Sequence, residues 1–75
     1  NNMDQLAMDV AKGQGETLAA LAEIIGVEAT DQTTFNTKLQ ASFDTMFSAE
    51  ATSETAYQAM KDTMQSDLVL KKYLG

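Results

Sequence analysis

The residue types that most often carry chemistry are absent from this chain, which has no histidine, cysteine or arginine. Acid–base and nucleophilic catalysis usually draw on these types, or on a paired acid and base with tuned pKa values. Serine, lysine, tyrosine and carboxylates remain, but neither a Ser-x-x-Lys nor a Gly-x-Ser-x-Gly arrangement occurs. No catalytic or cofactor-binding residue is therefore predicted, and the chain is not expected to be an enzyme. Eleven acids raise the question of calcium. An EF-hand loop, however, needs oxygen ligands at alternating positions, a central glycine and a closing glutamate, and that pattern is missing. The acids read as a solvated face and no metal site is predicted. Five methionines could serve a soft metal or an adaptable groove. Met3, Met46, Met60 and Met64 fall on apolar helix faces and read as core, whereas Met8 lies off the stripe and is a candidate contact with something outside the domain.

The compact oddity is Gly13-Gln14-Gly15-Glu16. On a continuous helix Gln14 projects near the middle of the apolar face between two glycines, so something should approach closely there. One reading is a binding notch, in which Gly13 admits a partner backbone and Gln14 supplies amide hydrogen bonds. The other is internal: Gly13 lets a neighbouring helix of the same bundle pack tightly while Gln14 bonds a backbone carbonyl. A phosphate loop is not indicated, because the third glycine and the preceding strand are lacking.

These residues need helices to hold them. Proline is absent, and apolar residues recur at helical spacing. The predicted fold class is all-α, a small bundle of three main helices plus a short C-terminal helix, forming a single domain over residues 1–75. Helix one starts after Asn2 and ends at Gly26, a natural left-handed stop. Leu6, Val10, Leu18, Leu21, Ile24 and Ile25 align with Met3 within about 60° of one line, and Asp9, Lys12, Glu16 and Glu23 fall opposite. Because that phase persists through Gly13-Gln14-Gly15, one helix from about residue 3 to residue 25 is favoured over two helices kinked at the glycines. Helix two runs from Thr30 or Asp31 to about Phe47, with Phe35, Leu39, Phe43, Met46 and Phe47 as its apolar stripe. Helix three, capped at Ser53, carries Ala56, Tyr57, Met60 and Met64. Ser66 or Asp67 caps the last turn, where Leu70, Tyr73 and Leu74 share a face and Lys71-Lys72 complement the helix dipole.

Composition narrows the partners. Five lysines against eleven acids give a net charge of −6, so a phosphate backbone would find no basic cluster and nucleic acid is excluded as a partner. Apolar runs of about four residues fall far short of the ~20 needed for a membrane span. A chain of 75 residues buries only roughly 60% of its unfolded surface. With no disulfide or zinc staple available, stability must come from helix packing, with or without a partner. The opening Asn1-Asn2-Met3 suits a processed or excised part of a longer protein.

Met3-Asp4-Gln5-Leu6-Ala7, Ala11-Lys12-Gly13-Gln14-Gly15-Glu16-Thr17-Leu18, Leu21-Ala22 and Phe43-Asp44-Thr45-Met46-Phe47 together resemble the helical C-terminal part of a bacterial family of exported proteins of unknown function. That family carries a basic residue-Gly-x-Gly-Glu signature, matched here by Lys12 to Glu16. The resemblance implies a periplasmic or extracellular location and supplies no activity. The expected function is a non-catalytic interaction or structural module that binds a protein partner, or itself as a homo-oligomer, through helix one. Its candidate interaction residues are Met8, Gly13, Gln14, Gly15 and Glu16. The alternative is a carrier of a small apolar ligand, with a pocket between helices one and two lined by phenylalanine and methionine.

Overall fold

The glycines decide the first half of the fold. In the computed structural model, which describes residues 2–75 and leaves Asn1 outside the described residues, the expected long helix is two: α1, Asn2–Lys12, and α2, Glu16–Ile25. Gly13 adopts φ +79°. Its N–H donates to the carbonyls of Asp9 at 2.8 Å and Val10 at 3.1 Å, and the Gln14 N–H also donates to Asp9 at 3.1 Å. This is the Schellman stop, which satisfies the last carbonyls of a helix around a left-handed residue. Gly26 ends α2 the same way, with φ +95° and its own and the Val27 N–H groups returning to Ala22. Hydrophobic phase survived the break because α2 folds back against α1 and both must bury one side. Periodicity therefore could not reveal the turn.

After a short 3₁₀ turn, Ala29–Asp31, the chain forms α3, Gln32–Ala41, and the single-turn α4, Phe43–Met46. The predicted second helix is thus broken at Ser42, whose hydroxyl pairs with that of Thr63 at 2.7 Å and pins the corner to the last long helix. That helix is α5, Ser53–Gln65. Its cap is Thr52, one residue before the expected Ser53, in a reciprocal box with Thr55: each residue's side chain accepts the other's backbone N–H. A second 3₁₀ turn, Leu70–Leu74, replaces the predicted last helix and starts where Asp67 accepts the N–H groups of Val69 and Leu70, each at 3.0 Å. The domain is all-α, with no strand among the described residues.

The central element is α3, which packs against α1, α2, α4 and α5. Its Phe35 and Leu39 are fully buried among Val10, Leu18, Ala22, Met46, Met60, Met64 and Leu70. The three phenylalanines divide: Phe35 is the core anchor, while Phe43 and Phe47 are half-buried, their ring centroids 5.3 Å apart. One half of the domain is the α1–α2 hairpin, and the other is α4, α5 and the C-terminal turn. Helices α2 and α5 scarcely touch directly; the halves are joined through α3, through α1 against α4 and through the C-terminal turn, and a furrow remains between α2 and α5.

Candidate interaction surface

Gly13 and Gly15 are half-buried against side chains of their own chain, Gln40 and Asp9. A Cβ on Gly13 would lie 3.1 Å from Gln40 Oε1, and the Gln40 side chain donates from Nε2 to the Ala11 carbonyl at 2.9 Å, closing the C-terminus of α1. Gln14 and Glu16 are exposed. Gln14 does not sit in the middle of an apolar face, since the helix on which that position was reckoned ends two residues earlier. Met8 stands 57% exposed, off the core as its phase requires.

Gly15 faces a residue the periodicity assigned to solvent. Asp9 is 1% exposed. Its Oδ2 accepts the N–H groups of Thr17 at 2.9 Å and Leu18 at 3.2 Å, and Oδ1 accepts from Gln5 Nε2 at 3.4 Å. A helix start leaves its first N–H groups without partners, and a side chain at the preceding residue normally accepts those of the second and third positions. Here that residue is Gly15, which has no side chain, and Asp9 does the work from eight residues upstream. Gly15 holds φ 150° and ψ 165°, a region essentially restricted to glycine. A Cβ there would meet the Asp9 carboxyl group at 2.1–2.3 Å. Gly13, Gly15 and Asp9 therefore form one structural unit, a turn capped in both directions. The signal in the sequence is an uncapped Glu16 helix start behind a glycine, with the Asp9 carboxylate seven residues before it.

The furrow between the halves is the more open surface. Its deepest part, about 160 Å³, is lined by Met3, Leu6, Leu21, Met46, Ala56 and Met60. It opens along α2 past Ala20 and Ile24, and towards the C-terminus past Ile25, Tyr57 and Leu74, in adjoining spaces of about 320 and 310 Å³. Leu21 lines all three, so they form one groove. Ile24, which its phase assigned to the buried line, is 83% exposed on one lip, and Tyr57 is 52% exposed on the other. The reason is geometric: Leu18, Ala22 and Leu21 already fill the side of α2 that meets α1 and α3. No space opens beside the fully buried Phe35 or beside Gln14, but between α1 and α4, within the predicted first and second helices, Met3, Ala7, Phe43 and Phe47 line a separate open space of about 440 Å³.

The C-terminal end of the groove is held by a polar latch. The Tyr73 hydroxyl donates to Asp31 Oδ2 and accepts the Glu28 N–H at 3.1 Å, and Lys72 Nζ stands 3.2 Å from the same Asp31 oxygen. The Tyr73 hydrogen bond, then Lys72, hold the Asp31 carboxyl below the usual 3.8. The bond to Asp31, then partial burial, push the Tyr73 phenol above the usual 10.0.

Among the described residues no cluster of three or more acids is placed to hold a metal ion, and no helix is long and apolar enough to cross a membrane. Comparison with curated proteins and with solved structures finds no match. Residues 1–74 match the family model described as protein of unknown function DUF3015, and the chain belongs to that family.

Proposed function

We propose that this domain is a non-catalytic docking module, and that its working face is the groove between the α1–α2 hairpin and α5, not the glycine segment. The observation that carries this reading is the pair of large apolar side chains on opposite lips of one continuous apolar furrow, Ile24 at 83% and Tyr57 at 52% exposure. Single exposed apolar residues are ordinary, but apolar side chains aligned along a groove are the usual seat of a partner. A furrow between two helices suits an amphipathic helix, whose residues at i, i+3, i+4 and i+7 fill such a trough. The three adjoining spaces run along α2 as an open trough and not as one enclosed cavity, which suits an elongated partner helix better than a carried ligand. The family resemblance supports a bacterial, exported setting for this docking.

The test is a neutral amphipathic peptide of leucine and glutamine, about 18 residues or roughly five turns long, titrated into the isotopically labelled domain. Chemical-shift changes confined to Leu6, Leu21, Ile24, Tyr57 and Met60 are expected. Changes centred on Gly13 to Glu16, or none at millimolar peptide, would refute the assignment of the face.

A further inference from the structure

Resting on that reading, we infer that the occupant of the groove is an otherwise uncharged amphipathic helix of a different protein, with one carboxylate in its last turn set against Lys61. Lys61 is the charged side chain among the residues lining the three adjoining spaces, and none of those residues is an acid. It stands at the end of the groove closed by Tyr73 and Leu74, whereas Met3, Leu6 and Ala20 line the opposite end. Its Nζ lies 5.4 Å from the centre of the Tyr57 ring, so a cation–π contact holds it over the lip and not out in water. Half-buried there, it makes no ion pair with the described residues. Asp62, the next residue on α5, is turned about 100° away and accepts Gln58 Nε2 at 3.0 Å. Lys38 and Lys72, by contrast, already have their carboxylates in Asp67 and Asp31.

A helix lying in the furrow covers this end and strips water from Lys61. Burying a charge without a counter-charge is costly, and setting a like charge beside it costs more. The occupant that avoids both brings a carboxylate to the ammonium. Lys61 follows Tyr57 by one turn of α5, so that carboxylate belongs about one turn beyond the apolar residue seated between Ile24 and Tyr57. A helix also carries its negative dipole end and its unpaired carbonyls at the C-terminus, which sets that end of the partner at Lys61 and its N-terminus near Met3. The domain's own net charge of −6 resists a partner acidic throughout, so the carboxylate stands on an otherwise uncharged helix. A second copy does not meet the requirement. Two copies pairing this face about a twofold axis bring no acid from the groove lining to Lys61.

Four peptides of one apolar pattern, about 18 residues long and blocked at both ends, separate the outcomes. Their polar positions are all glutamine, or glutamine with a glutamate in the last turn, a glutamate in the first turn, or a lysine in the last turn. Binding is read by fluorescence anisotropy. The last-turn glutamate peptide should bind about fivefold more tightly than the all-glutamine one, and the last-turn lysine peptide about fivefold more weakly. Lys61→Gln should abolish the glutamate advantage and Lys61→Glu should make the lysine peptide the tightest, both with the wild-type thermal melt. Equal binding of the all-glutamine and last-turn glutamate peptides would overturn the charge selection and leave the groove standing. A glutamate advantage that survives Lys61→Gln would arise elsewhere on the domain and overturn the role of Lys61. Tighter binding of the first-turn glutamate peptide would overturn the orientation. Binding by none of the four would overturn the groove reading as well. A concentration-dependent mass in light scattering that Ile24→Ser abolishes would place a second copy in the groove and overturn the assignment to a different protein.

Discussion

Replacing Asp9 with alanine should unfold this domain more readily than removing any other polar side chain, although its helical phase marks it as a solvent residue. The carboxyl group is 1% exposed and accepts two backbone N–H groups, those of Thr17 and Leu18. Loss of an N-cap acceptor costs about 0.5–2 kcal/mol, and leaving a buried donor unsatisfied costs about 1–3 kcal/mol. These figures overlap, because they describe the same two donors, and Leu18 N–H is the one that stays buried. An expected loss of about 1–3 kcal/mol follows. At roughly 0.05–0.15 kcal/mol per residue, a 75-residue domain has only a few such increments in hand. Asp9→Asn retains an acceptor of the same shape and should lose about 1 kcal/mol. The assay is urea unfolding followed by circular dichroism, with the exposed Gln14→Ala as control. If Asp9→Ala stays within about 0.5 kcal/mol of wild type, as an ordinary surface change does, the capping assignment is wrong.

Gly15→Ala should destabilise more than Gly26→Ala in the same assay. Both force a left-handed or glycine-only backbone on alanine, but only at Gly15 does the new Cβ strike a buried group, whereas nothing lies within 4 Å of Gly26. Phe35→Ala should cost about 3–5 kcal/mol as a core truncation, while Ile24→Ser should cost less than about 1 kcal/mol because the side chain is already in water; similar losses would mean that the groove is closed in solution. The latch predicts the sign of two pH effects. Asp31, held below 3.8, contributes stability present at neutral pH and lost as pH falls through its lowered value. Tyr73, held above 10.0, contributes stability present below that value and lost as pH rises through its raised one. Asp31→Asn should therefore move one tyrosine's phenolate absorbance titration to lower pH, and an unchanged curve would refute the latch.

What could be read from the residues was the apolar lining of each helix. Leu6, Val10, Leu18 and Leu21 do face one core with Phe35 and Leu39, and Met46, Met60 and Met64 join it as their phase predicts. What could not be read was where a helix turns back. A hairpin of two helices keeps both apolar faces inward, so the phase continued across Gly13-Gln14-Gly15 although the backbone did not. Both Gly13 and Gly26 hold the left-handed stop, but at Gly13 the apolar phase runs on beyond the glycine and hides it. Asp9 was misplaced for a related reason. Its angle on α1 points away from the core formed by α1 itself, and its burial comes from α2 folding over it, a long-range fact that local periodicity does not contain. Ile24 is the converse: its phase lies within the apolar arc, but the neighbour that would cover it, α5, packs on α3 instead.

The two polar hubs and the groove are connected by this arrangement. Asp9 fixes α2 against α1 within the first half, and Tyr73 with Asp31 fixes the C-terminal turn against the segment that follows α2, joining the two sides at the C-terminal end of the furrow. Between the lips themselves, α2 and α5, direct contacts are few. The separation of Ile24 from Tyr57 is set by that latch and by how each half sits on Phe35 and Leu39. A partner helix entering the groove would supply the apolar contacts that the lips do not make with each other. Binding should then tighten the two halves together, raising the melting temperature of the wild-type domain and not that of Ile24→Ser.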